Sequence, residues 1–331
     1  MAKYRVGLIG VGGIAPVHVK MLSDLSDRGE IIGMFDIDPA QLEKRRREWG
    51  FRGFASLEAL LAERPDIAWV LTPAWPRVEI LEQCFAAGCH CFVEKPLALT
   101  VEGAERSADM ARKAGRRLFV GHNARNEPLT RTMADWFFEG RLGDLVKVYY
   151  HEYIQRDDEV WRRKYEEGDS WRLSFEKSGG RIFEFSIHGI NFLQWIGGNA
   201  RWVYGWRDAV SPTIAKAGQE DLVSAHVAFA KGYGTNETIM APGMRNRREV
   251  GIVGTRGECW GENKKIRLVI PGDQRDEIVE PRPCANRASS FLDSLDRDEA
   301  PINDGPSAIA TTRICCAFNE SARTHAVVEL R

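Results

Sequence analysis

The chain of 331 residues carries 46 basic and 47 acidic side chains, a formal net charge of −1, with 44% hydrophobic and 28% charged content. That balance excludes a partnership with nucleic acid or an anionic membrane built on net charge, and the composition excludes a disordered chain. No apolar run is long enough to span a bilayer, so the sequence predicts a cytoplasmic globular protein large enough for two domains.

The first third alternates short apolar runs with helical spacing. "YRVGLIG" reads as a strand, and Ile14, Val17, Met21 and Leu25 then follow helical periodicity. "EIIGMFDID", "IAWVLTP", "CHCFVEKP" and "RRLFVGHN" are four further strands, with helices between them. One of those helices, "PAQLEKRRREWG", opens on Pro39 and closes on Gly50. Strand and helix repeating in this way predict a doubly wound parallel sheet covered on both faces, an α/β fold. After His122 the rhythm changes. "LVKVYYHEYI", "ARWVYGWRDAV", "LVSAHVAFA", "ETIMA", "REVGIVG", "GECWGE" and "IRLVI" read as a mostly antiparallel sheet, closed by a C-terminal helix over "DGPSAIATTRICCAFNESAR". The predicted domains are residues 1–124 and 125–331, the second an α+β domain with an open sheet.

Seven cysteines, Cys84, Cys89, Cys91, Cys259, Cys284, Cys315 and Cys316, are an odd, scattered set and no disulfide framework. Cys89 and Cys91 share a strand face with His90 opposite. They lack the paired spacing of a zinc site, so core cysteines are expected and no metal.

"GVGGIA", residues 10–15, lies between the first strand and the first helix. Gly10 permits a tight turn and Gly12 a close approach of backbone to a pyrophosphate. Ala15 permits close helix–sheet packing, and the helix N-terminus faces the anion. Gly10, Val11, Gly12, Gly13 and Ile14 are therefore candidate dinucleotide contacts. Asp36, at the end of the second strand, suits the adenosine ribose hydroxyls and repels a 2′-phosphate, which favours NAD over NADP while leaving NADP open. Glu184 and His188 are four residues apart, on one face of a helix, with Asn191 one turn further. An imidazole there suits a general base near neutral pH. Ser186 and His188, two apart on that helix, do not face each other as a nucleophile pair would.

With "GVGGIA", "FDIDP", "VEKPLA", "VGHN" and "SGGRIFEFSIHGIN" in this order, nearly the whole chain resembles the glucose–fructose oxidoreductase and inositol dehydrogenase family, Gfo/Idh/MocA. The resemblance implies a Rossmann domain followed by an open, largely antiparallel sheet domain. It also implies a nicotinamide cofactor, oxidation or reduction of a sugar, cyclitol or related polyol, and a homodimer or homotetramer formed through the open sheet face. It makes Lys95 the lysine at the reacting oxygen, with Pro96 following through a bond that is often cis in relatives, and Glu94 close to the cofactor. It makes His188 the base and Glu184 its acidic companion. Thr72, Pro73, Trp75, His122 and Asn123 then fall at strand ends near the cofactor. Trp161, Arg163, Lys164 and Arg172 become substrate candidates, with Arg172 foremost, beside Glu184, His188 and Asn191. The sequence departs from the family pattern at Glu184, where Asp is common, at Asn191, where a second Asp is common, and at Arg181, which interrupts a third glycine. Two alternatives stay open: tightly held NAD serving transient oxidation and elimination on a sugar, or a non-catalytic nicotinamide and sugar sensor.

Overall fold

The computed structural model describes residues 3–166, 171–262 and 264–330. The chain divides into two units, residues 1–122 with 285–309, and residues 123–284 with 310–331.

The first unit is built on five parallel strands, β1 (Tyr4–Ile9), β2 (Gly29–Phe35), β3 (Ile67–Val70), β4 (His90–Val93) and β5 (Leu118–Val120), in the order β2-β1-β3-β4-β5. The order reverses between β1 and β3, the position at which ligands bind in open α/β sheets. Helices α1 (Ala15–Ser23), α2 (Pro39–Trp49), α3 (Leu57–Ala62), α4 (Arg77–Ala86) and α5 (Val101–Lys113) connect the strands. Local chemistry sets several of their ends. Asp38 caps α2 by accepting from the Ala40 N–H at 2.9 Å, and Gly50 ends it at φ 74°. Ser56 and Thr100 cap α3 and α5.

The strands are apolar on both faces because helices cover both. One face carries Leu8, Trp69, Phe92 and Phe119, and the other carries Ile9, Val70, Val93 and Val120 with the buried Cys84, Cys89 and Cys91. On the first face the Trp69 and Phe92 rings stack at 3.9 Å, and Phe92 and Phe119 at 5.1 Å. Phe291 tilts against all three rings. Sequence order groups residues 285–309 with the second domain. They pack in the first unit because Ala288, Phe291 and Leu292, from the helix Arg287–Asp296, complete this aromatic face.

The second unit carries strands β6 (Leu145–Gln155), β7 (Trp202–Asp208), β8 (Leu222–Ala228), β9 (Tyr233–Ala241), β10 (Arg247–Gly254), β11 (Glu258–Glu262), β12 (Lys265–Ile270), β13 (Arg275–Val279) and β14 (Val328–Glu329). They form one sheet in the order β13-β12-β11-β10-β6-β9-β8-β7-β14. β6 and β9 run parallel and every other pairing is antiparallel. Helices α6 (Pro128–Phe138), α7 (Asp158–Glu166), α8 (Phe175–Ser178), α9 (Ile187–Gly197) and α10 (Pro212–Lys216) precede or interrupt the strands. Gly189 lets α9 close on the sheet, since a Cβ there would lie 2.1 Å from Asn236 Nδ2 and 2.7 Å from Tyr150 Cδ1. The alternation along β7 turns Val203 and Gly205 inward, and Tyr204 and Trp206 to the surface at 38% and 45% exposure.

Replacing Phe291 by Ala is expected to destabilise the protein by about 3–5 kcal/mol, the usual cost of emptying an aromatic core position. Chemical denaturation of the full chain measures it, and the loss of amide protection is expected to concentrate in β3, β4 and β5.

Candidate active site

At the carboxyl edge of the parallel sheet the glycine turn follows β1. Gly10 has φ 84°, and a Cβ there would lie 3.0 Å from the Thr72 backbone nitrogen and 3.2 Å from the Leu71 carbonyl carbon. The close approach and the left-handed backbone both require glycine. Gly12 and Gly13 face open space, with nothing within 4 Å of an added Cβ, and α1 begins at Ile14 and Ala15 without a side-chain cap. An open glycine turn at an uncapped helix N-terminus fits the pyrophosphate of a dinucleotide.

Beside the turn, Asp36 accepts from the Val11 N–H at 2.7 Å and from the Asp38 N–H at 2.9 Å. It is half-buried, and a carboxylate keeps further acceptor positions for ribose hydroxyls. Arg45 lies in the charged run 43–48, which reads from sequence as a solvated helix face, yet it is buried and supports the turn. Its guanidinium donates to the carbonyls of Val11 and Gly12 and pairs with Glu48.

Thr72, Pro73 and Trp75 follow β3, with Trp75 42% exposed. Arg77 is buried at the start of α4 and donates to the carbonyls of Thr72 and Pro96, tying the two strand-end loops together. The Lys95–Pro96 peptide is cis. Lys95 is half-buried, and His122, which follows β5, is buried with its carbonyl accepting from Asn303.

Glu94 is buried, and both of its oxygens are held by groups of this unit. Oε1 receives Arg287 Nη1 at 2.7 Å and lies 3.0 Å from His18 Nε2, and Oε2 receives the Lys95 N–H at 3.0 Å. Trp69 Nε1 donates to His18 Nδ1 at 3.0 Å. Burial opposes ionisation of Glu94. The His18 hydrogen bond and the positive charges of Arg287 and Lys95 outweigh it and hold the carboxyl well below the ordinary carboxylate range. His18, Arg77 and Arg287 were not singled out from the sequence. The one available signal was a histidine on the buried stripe of α1, beside Ala15, Val19 and Leu22.

In the second unit a π-helical turn, Ile182–Ser186, runs into α9. Such turns occur often at functional positions. Glu184 is buried in the turn, and Arg172 Nε donates to its Oε2 at 2.8 Å, so these two expected site residues come together. His188 is half-buried in the first turn of α9. Ser186 is buried and donates to Thr238 Oγ1 at 2.7 Å. Asn191, expected at the substrate, is fully buried and donates to Thr311 Oγ1 at 3.0 Å. Trp161, also expected there, is 1% exposed and packs with Leu173, Ile214 and Met240. The guanidinium of buried Arg181 lies 4.5 Å from its ring centroid. Arg163 is exposed, 4.0 Å from Glu159, and Asn123 is exposed ahead of the short turn Ala124–Asn126. The side chain of Lys164 lies outside the described residues.

Residues 4–122 match the model of an oxidoreductase family with an NAD-binding Rossmann fold, and residues 130–259 match the GFO/IDH/MocA C-terminal domain. Inositol 2-dehydrogenase of Rhizobium meliloti is 26% identical over 92% of this chain and 94% of its own length. Glucose-6-phosphate 3-dehydrogenase of Bacillus subtilis is 24% identical over 58% of this chain, which spans about half of that enzyme, 53%. The crystal structure of the WlbA dehydrogenase from Bordetella pertussis, in complex with NADH and UDP-GlcNAcA, shares the fold at a TM-score of 0.84 and 24% identity, covering 100% of this chain and 99% of that one.

The depressed pKa of Glu94 has a consequence for stability. A carboxyl whose folded value is lowered from 4.5 stabilises the fold above that pH, and the contribution is lost as pH falls through the folded value. Wild type is expected to exceed Glu94→Gln in unfolding free energy by the full amount at neutral pH, with the excess shrinking below about pH 4. Urea unfolding of both proteins across this range checks the sign.

Proposed function

Because the chain belongs to the Gfo/Idh/MocA family of oxidoreductases, we propose that it moves a hydride between a hydroxyl-bearing carbon of a sugar, cyclitol or related polyol and the nicotinamide of NAD(H). The observation that supports this reading most is the convergence, at one edge of the parallel sheet, of an open glycine turn, Asp36 and a lysine loop clamped by Glu94 and Arg77. Relatives named for inositol and glucose 6-phosphate point to the same substrate class.

The nicotinamide, when bound, accepts or returns the hydride. The turn Gly10–Ile14 holds the pyrophosphate and Asp36 the adenosine ribose, with Thr72, Pro73, Trp75, His122 and Asn123 along the remainder. NAD is preferred because the Asp36 carboxylate repels a 2′-phosphate, and Arg45 is already committed to the Val11 and Gly12 carbonyls and to Glu48. Lys95 donates to the substrate oxygen and stabilises the charge that develops as its proton departs. His188 takes that proton during oxidation and returns it during reduction. Glu184, paired with Arg172, presents acceptor and donor groups to substrate hydroxyls. Glu94 belongs to the lysine loop rather than to the cofactor, and Asn191 and Trp161 are assigned to packing.

Mixing the protein with NAD or NADP across a panel of sugars, cyclitols and sugar acids is expected to give reduced nicotinamide with NAD and one substrate class. Lys95→Ala is expected to lower that turnover by roughly 10²- to 10⁴-fold. Undiminished turnover in this variant would remove Lys95 from the chemistry. Nicotinamide released only on denaturation, with no net turnover, would favour transient oxidation instead.

The exposed Tyr204, Trp206 and Tyr233 of the sheet support self-association through this face into a dimer or tetramer. Light scattering is expected to show an oligomer for wild type and a smaller species for Trp206→Glu.

A further inference from the structure

His18 lies on α1, behind the glycine turn, and has no place in the chemistry proposed above. It is nevertheless completely buried and carries specific hydrogen bonds through both ring nitrogens. An indole N–H only donates, so His18 Nδ1 accepts from Trp69 and the ring hydrogen sits on Nε2, aimed at Glu94. Trp69 thereby fixes the tautomer. His18 and Arg287 together hold Glu94 Oε1, which leaves Oε2 directed at the Lys95 N–H. That N–H is the last backbone donor before Pro96, which has none. The other side of the loop is held by Arg77, through the Pro96 carbonyl.

We propose that His18 is a positioning residue for Lys95, acting through Glu94: its Nε2–H sets the orientation of the carboxylate that anchors the Lys95 backbone. The inference rests on the reading of Lys95 as the group at the reacting oxygen. The long lysine side chain magnifies any rotation at its root, and a misplacement of about 1 Å is enough to cost about 100-fold in rate.

Two measurements test this, and one of them is independent of turnover. Amide hydrogen exchange at Lys95, read by mass spectrometry on overlapping peptides, is expected to be about tenfold or more faster in His18→Leu, the effect of losing one buried hydrogen bond. His18→Gln can offer a carboxamide N–H to Glu94 from near the Nε2 position while giving up the Trp69 contact, and is expected to exchange more slowly at Lys95 than His18→Leu does. Should His18→Leu fail to fold, Glu94→Gln carries the same test, because it keeps the side-chain volume and turns one acceptor into a donor. Turnover then supplies a double-mutant cycle with the best substrate of the panel. His18→Leu is expected to cost about tenfold or more in kcat when Lys95 is present, and less than about twofold in a Lys95→Met background.

Unchanged exchange at Lys95 in both His18→Leu and Glu94→Gln overturns the proposal. An equal cost of His18→Leu with and without the lysine side chain overturns it as well, since that is the mark of a general structural role. Undiminished turnover of Lys95→Met removes instead the reading on which the proposal rests, and the exchange result distinguishes that failure from the others.

Discussion

A carboxylate taken out of water must be matched by donors and positive charge, or it is a heavy penalty on the fold. Glu94 is such a group, and the architecture of the first unit follows from how it is matched. Its partners come from α1, from the backbone of the next residue and from Arg287, which is 193 positions away in the chain. Each partner is anchored by something else. His18 belongs to the helix opened by the glycine turn, and Arg287 begins the helix whose Phe291 lies against the stacked rings of Trp69, Phe92 and Phe119. One buried charge therefore fastens the turn, the lysine loop and the returning segment to one another.

The second unit solves a different problem, how to hold a histidine in a helix close against a sheet. Gly189 removes the side chain that would keep α9 off Asn236 and Tyr150. The π-helical turn just before α9 carries Glu184, and Arg172 reaches its carboxylate from the preceding segment. Departures from the family pattern acquire a physical meaning here. Asn191 is a neutral donor to Thr311 in a fully buried position, where a carboxylate would need its own compensating charge. Arg181 lies in a shell of aromatic rings over Trp161 and Phe185. There burial drives its pKa down despite the nearby Glu220.

What was legible in the sequence was local. The five parallel strands, the glycine turn, Asp36 and the lysine before Pro96 are each written within a few residues, in periodicity or turn chemistry. So is the Glu184–His188 spacing on one helix. What escaped depends on partners distant in the chain. The helix Arg287–Asp296 has a modest apolar stripe, and nothing within it announces that Phe291 meets Phe92 or that Arg287 meets Glu94. Trp161, a substrate candidate by sequence, packs against Leu173, Ile214 and Met240, a placement that sequence cannot foretell because tryptophan serves binding sites and cores equally. The edge strand β13, Arg275–Val279, went unseen because its side chains are largely polar and exposed.

The return of residues 285–309 to the first unit also bears on the order in which the protein is made. The parallel sheet leaves the ribosome with its aromatic face lacking Phe291 and with Glu94 lacking Arg287. The whole of residues 123–284 must be synthesised before the missing helix appears. At about 5–20 residues per second, that leaves roughly ten to thirty seconds in which the nascent sheet lacks the Phe291 cover over Trp69, Phe92 and Phe119. The lysine loop therefore takes its final form only after residues 123–284 have been made and Arg287 has followed them.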